Sequence, residues 1–258
     1  MDAASFPGLC RAWRRRRRLS QLDLALTAGI SQRHLSCLET GRSRPSPAMV
    51  LRLCEALEVP LRDRNLLLQA AGFAPRYRES GLEAKDMAPV RQALERLLAH
   101  HEPLPAFVLD RRWNVLGANR AATGLLARLG IEPAAGETVN LVRATLDPAG
   151  LGAAIVNRAE VTAHLHERLR REAMASADPE LQRMLEALEA APPQPPACPG
   201  AETGLLPVLP LVIDAGDRRL SLFTVVSTFG TAQDVTAEEM RIETLYPADA
   251  GTAAFFGA

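Results

Sequence analysis

LSQLDLALTAGISQRHLSCLETGRSRPSP, residues 19–47, reads as two short helices joined by a tight turn. Ser20 is a good N-cap, because its hydroxyl can accept from a first-turn amide, and Leu22, Ala25 and Leu26 follow at apolar helical spacing. Gly29 stands where that helix must stop in the left-handed region, which other side chains resist. Ser31 caps the next helix, in which Leu35 and Leu38 turn to the core while Gln32, Arg33, Ser36, Cys37 and Thr40 share the opposite face. Helix, glycine turn and a second helix with a polar outer stripe make a helix-turn-helix, which points to a DNA-binding protein.

Working outward, a first helix is expected from about Gly8 to Arg17, with Cys10 and Trp13 facing the bundle. Ser46 followed by Pro47 opens a fourth helix with an apolar stripe of Val50, Leu51, Leu53, Cys54 and Leu57. Pro60 to Ala71 gives a fifth, stopped by Gly72, and the polar stretch 74–86 reads as a linker. A helix from about Met87 to His101 then carries Val90, Leu94, Leu97 and Leu98 on one side. PAFVLD and WNVLGA, separated by Asp110-Arg111-Arg112, suit a hairpin, and Asn119 caps a helix to about Leu129. Residues 137–190 read as helices, the longest at Ala159–Ala175, and APPQPPACPG (191–200) as a proline-rich loop. LLPVLPLVI, RRLSLFTVVSTFG and EMRIETLYP are the remaining strand candidates, so residues 87–258 read as an α+β domain.

At 258 residues there is room for two separate cores. The net charge of zero, from 30 basic and 30 acidic residues, conceals an asymmetry. Through Ser80 there are 14 arginines against 7 acidic residues, and thereafter 16 basic against 23 acidic. A basic head on an acidic body suits a polyanion reader attached to a domain that stays off the polyanion. The four cysteines are too sparse for a disulfide scaffold or a zinc site, and Cys10 and Cys54 fall at apolar helix positions. No apolar run approaches a membrane span, and SQLDLALTAG after the basic run Arg14–Arg18 is too polar for an export signal. A cytoplasmic protein is expected.

Four motifs in register, LSQLDLA (19–25), AGIS (28–31), HLSCLETGRSRPS (34–46) and MVLRLCEALEVP (49–60), resemble the xenobiotic-response-element (phage repressor-like) regulators. The resemblance implies a five-helix DNA-binding bundle over residues 1–73. RDRNLLLQAAGFAP (62–75), PAFVLDRRWNVLGANRAA (105–122) and TFGTAQDVTAEEMRIETLYPAD (228–249) resemble the MmyB-like regulators. That second resemblance implies a PAS-like ligand-binding domain with a single antiparallel sheet over 87–258.

By the first resemblance Gln32, Arg33, Ser36 and Cys37 are base-edge candidates. Glutamine pairs bidentately with adenine and arginine with guanine, each worth roughly 1–3 kcal/mol of discrimination, whereas a thiol bonds poorly and suits only a thymine methyl. The competing reading is an ordinary solvated helix face. Gln21, Thr40, Arg42 and Arg44 are phosphate candidates, Arg44 standing equally well as a solvated loop charge. Arg14 and Glu39 match family positions that pair across the bundle. An at least partly exposed pair would contribute about 1 kcal/mol or less. Arg18 departs from the family, which has glycine there, and the run Arg14–Arg18 reads either as a nonspecific phosphate contact or as solvated charge.

His100-His101-Glu102 and His164/His166 lack metal-ligand spacing, and Thr236 with Glu239 has the form of a capping box. No catalytic triad order, phosphate loop or paired-carboxylate motif gives enzyme chemistry an anchor. The expected function is a transcription regulator that binds a double-stranded, palindromic DNA operator as a homodimer, with no cofactor and no membrane partner. Its second domain would hold a fatty acid-like ligand in an apolar cavity, for which Phe107, Trp113, Leu125 and Phe223 are lining candidates or plain core. The alternative is a second domain that only dimerises.

Overall fold

The computed structural model describes residues 5–131, 138–190 and 207–258; the proline-rich stretch 191–200 and the start of LLPVLPLVI lie outside them. The chain divides into two compact units, one comprising residues up to Glu79 with 172–178 and 233–235, the other the remainder.

The first unit holds α1 (Phe6–Arg16), α2 (Gln21–Thr27), α3 (Gln32–Glu39), α4 (Pro47–Ala56) and α5 (Leu61–Ala70). Four serines start four of these helices. Ser5, Ser20, Ser31 and Ser46 accept from the amides of Gly8, Asp23, His34 and Met49, and Asp23 returns a bond to the Ser20 amide to complete a capping box. Each helix is followed by a residue at positive φ: Arg18 (56°), Gly29 (60°), Gly41 (74°), Glu58 (48°) and Gly72 (88°). At Gly29 the requirement is double, since a Cβ would also lie 2.5 Å from the Arg52 guanidinium. At Arg18 the left-handed turn persists without the glycine of the family, so the departure changes the residue and not the turn.

Leu24, Leu35, Leu38, Val50, Leu53 and Leu57 form the centre of the bundle with Phe6, Cys10 and Trp13 from α1. Fully burying one such leucine contributes about 1.5–3 kcal/mol. Leu22 and Leu26 do not join it; they are 51% and 70% exposed, and Leu24, Ala25 and Ala28 form the inner stripe instead. In a helix of seven residues both stripes have helical spacing, and packing against the neighbouring helices decides which one turns inward. The segment after α5 is pinned at its start. The Asn65 side chain accepts from the Arg76 and Tyr77 amides and donates to the Tyr77 carbonyl.

The second unit opens with a 3-10 turn (Lys85–Met87) and α6 (Ala88–His100), in which Leu94 is buried while Leu97 faces solvent. β1 (Ala106–Leu109) and β2 (Val115–Ala118) form the expected hairpin, and Asn119 caps α7 (Arg120–Arg128). Four helices follow: α8 (Leu141–Leu146), α9 (Leu151–Ala154), α10 (Arg158–Ala175) and α11 (Pro179–Glu189). β3 (Leu211–Asp214), β4 (Arg219–Thr228), α12 (Val235–Glu239), β5 (Arg241–Pro247) and α13 (Ala250–Phe256) complete the chain. Thr236 lies inside α12, not ahead of it, so it is no N-cap.

All the strand pairings are antiparallel, in the order β2-β1-β5-β4-β3. The period of two along each strand assigns the faces. Val108 and its cross-strand partner Ile242 pack with Leu94 and Met240, whereas Phe107 and its partner Glu243 face the opposite way, into a cavity. The unit is thus a curved sheet with α6 on one face and a hollow on the other. Among the described residues no helix is long and apolar enough to cross a membrane.

Candidate functional site

The candidate reading face of the first unit is the outer side of α3. Gln32 and Arg33 on its first turn are exposed, as are Thr40, Arg42 and Arg44 beyond its end, and Ser36 and Cys37 are half-buried between them. The face is set from beneath by Glu39, the last residue of α3, which points into the bundle with none of its side chain exposed. Its carboxylate accepts from Arg14 Nε at 2.7 Å, Arg14 Nη2 at 2.9 Å and Gln21 Nε2 at 2.8 Å. Arg11 donates to the Glu39 carbonyl at 2.6 Å, satisfying an end-of-helix acceptor.

This geometry changes two expectations. The Arg14–Glu39 pair is partly exposed only on its Arg14 side, at 13%, whereas Glu39 is fully covered. Burial pushes the Glu39 carboxyl up, but the bonds from Arg14 and Gln21 and the Arg14 and Arg11 charges outweigh it and hold the group below its ordinary value. The arginine run is in part internal: besides Arg14, Arg17 donates to the Leu57 and Glu58 carbonyls and so caps α4. Gln21 spends one amide hydrogen on Glu39 and keeps the other. Thr40 turns its hydroxyl back onto the Ser36 carbonyl at 2.7 Å. Cys10 and Cys54 are core thiols that desolvation raises to about 12, which leaves them unreactive.

The hollow beside the sheet is a cavity of about 450 Å³, within the roughly 300–1,000 Å³ usual for small-molecule sites. Three of the four expected lining residues are on its wall: Phe107 from β1, Trp113 from the hairpin turn and Leu125 from α7. Phe223 is not. Thr224 takes the inward position on β4, and strand alternation turns Phe223 to the other face, where it stacks on Tyr246 at 5.6 Å.

The wall is apolar except at a few places, and its charged pair escaped the sequence reading. Arg168 of α10 bonds Glu243 of β5 at 2.6 Å, with only 18% and 9% of their side chains exposed. The signal was a stripe at Val161, His164, Leu165 and Arg168, one helix face ending in a charge, set against an inward-facing Glu243 in a short strand. His164 borders the same wall and is exposed, in keeping with the solvated reading. The Arg168 guanidinium lies 4.1 Å from the centre of the Trp113 ring, and that of Arg241 lies 4.3 Å from it.

Trp113 itself is held at φ 68°, an unusual conformation for a bulky residue. The turn that imposes it is built on Asp110, whose carboxylate accepts from the Arg112 and Asn114 amides and the Asn114 side chain. Asn140 clamps the same turn through the Arg112 carbonyl and the Asn114 side-chain oxygen. Among the described residues no cluster of three or more histidine, cysteine or acidic side chains is placed to hold a metal ion.

No curated protein matches the chain. A helix-turn-helix family model matches residues 11–63, from the middle of α1 to the start of α5. The model of the MmyB-like transcription regulator ligand binding domain matches residues 90–257, which takes in the whole cavity wall. With a DNA-binding head and a ligand-binding domain that fills most of its length, the chain belongs to the MmyB-like transcription regulators.

Proposed function

We propose that this regulator binds a palindromic operator as a homodimer and that an apolar, fatty acid-like ligand in the cavity alters operator affinity. The division of labour follows residues 1–73 as reader, 74–86 as connector and 87–258 as sensor, in a cytoplasmic protein. Gln32, Arg33, Ser36 and Cys37 contact base edges; Arg42 and Arg44, with Gln21 and Thr40, contact phosphates. The observation that carries the sensor half is the largely apolar cavity of about 450 Å³ lying wholly within the matched ligand-binding domain.

A ligand acts only through different affinities for DNA-competent and incompetent states, and a coupling of roughly 1–3 kcal/mol is typical. The test is titration of medium- and long-chain amphiphiles, fatty acids among them, against a labelled operator. The comparison is between wild type and Leu125→Trp, which fills the cavity. An effect on wild type alone supports the sensor. Equal effects on both would mark detergent-like damage, and no effect on either would leave a domain that only dimerises.

A further inference from the structure

We propose that the homodimer closes through the open edge of β4, on which a second copy of this chain lays its own β4 antiparallel to make one continuous sheet. This rests on the homodimer reading and names its surface. β3 pairs with β4 only from Arg219 to Leu222, whereas β5 pairs with it from Leu222 to Thr228. Pro210, next in register opposite Phe223, has no N–H with which to extend the β3 ladder, and its carbonyl accepts from the Asn157 side chain. Past Leu222 the strand therefore has one paired side and one open side, and residues 224–228 are all exposed.

The groups on the open side follow from the ladder. Ala215 N–H donates to the Arg218 carbonyl, which turns Arg218 toward β3, and Ala248 N–H donates to the Ser221 carbonyl, which turns Ser221 toward β5. Alternation along the strand then directs the N–H and C=O of Thr224, Val226 and Thr228 to the open side. Among the described residues none bonds these groups from that side. Natural edge strands are blunted by charges, prolines or bulges. Residues 220–233 contain no charge and no proline, and the β4–β5 register runs without a shift.

Symmetry and charge identify the occupant. A two-fold axis at Val226 sets that residue opposite its own copy and Thr224 opposite Thr228, the arrangement of an isologous contact. Three such pairs give about six N–H···O bonds, and all three are uncharged and β-branched, which suits cross-strand neighbours. After Ser80 the chain carries 16 basic against 23 acidic residues, a net of 16 − 23 = −7, so two such bodies repel. A neutral strip is where they can meet.

The experiment is sedimentation velocity of the full chain as wild type, Val226→Lys, Val226→Glu and an equal mixture of the two variants. Val226 is 43% exposed, so either charge stays in solvent within the monomer. Wild type should dimerise. Each variant alone sets like charges opposite one another and should weaken the dimer at least about tenfold, while the mixture pairs opposite charges and should recover it. A wild-type dimer indifferent to both charges would overturn the edge and leave the homodimer reading standing, as would variants that weaken without recovery on mixing. A wild type that is monomeric alone yet binds a palindromic operator as two copies would overturn the edge in the same way. A chain that binds its operator as a single copy would overturn the homodimer reading, and the edge with it.

Discussion

Replacing Arg14 by methionine tests how the reading helix is held. The substitution keeps the apolar stem and removes both bonds to Glu39, at 2.7 and 2.9 Å, together with one to the Leu19 carbonyl. Glu39 has no exposed side-chain surface, so its charge is left buried with only Gln21 at 2.8 Å and Arg11 Nε at 4.0 Å. Breaking a buried pair from one side costs about 3–5 kcal/mol, and the two surviving partners place this case near the lower end, about 3 kcal/mol. For a unit of this size that is a fall in melting temperature on the order of 10–20 °C.

The pH dependence separates this cause from simple loss of packing. In wild type Glu39 sits below its ordinary value of 4.5, so its contribution is present above 4.5 and is lost as pH falls through the lowered value. In Arg14→Met burial dominates and the folded value rises above 4.5, so the cost is full near neutrality and fades as pH falls toward 4.5. Denaturation followed by circular dichroism at pH 7 and pH 5 should therefore show a gap between the two proteins that narrows in acid. A loss below about 1 kcal/mol at pH 7, or a gap indifferent to pH, would refute the reasoning.

Arg33→Ala should relax base preference at one position of each half-site at a cost of roughly 1–3 kcal/mol, read by selection from random DNA; uniformly weaker binding with unchanged preference would move Arg33 to the phosphate contacts. Arg42→Ala should weaken all sequences alike and reduce the slope of log affinity against log salt by roughly one, measured by salt titration. Arg18→Gly should stabilise the bundle by about 0.5–1 kcal/mol in urea denaturation, because φ 56° is costly for arginine and free for glycine.

What could be read from the sequence was local. The caps at Ser20, Ser31, Ser46 and Asn119 and the turn at Gly29 depend on residues three or four apart, and all stand where the spacing put them. What could not be read depends on partners far along the chain. Arg17 meets the end of α4 some 40 residues away, and Arg168 meets Glu243 across 75, so neither pairing leaves a local period. Phe223 was misplaced for a different reason. In the run LSLFTVV both faces of β4 carry apolar residues, and only the neighbouring strands decide which set turns inward. The exposure of the outer side of α3 was legible because its apolar residues Leu35 and Leu38 mark the buried side. The cavity's polar end was hidden because two charges that cancel in space look unrelated in sequence.

The chain has two tryptophans, and each unit has one. Trp13 lies under Arg16 and Arg17 at 5.3 and 5.4 Å, and Trp113 under Arg168 and Arg241. Indole emission responds to nearby charge, so the protein carries two intrinsic optical probes that single phenylalanine replacements would resolve. A molecule entering the cavity and disturbing Arg168 would register in Trp113, while a change in the packing of the bundle core would register in Trp13. Events in the two units could then be timed separately in one unlabelled molecule.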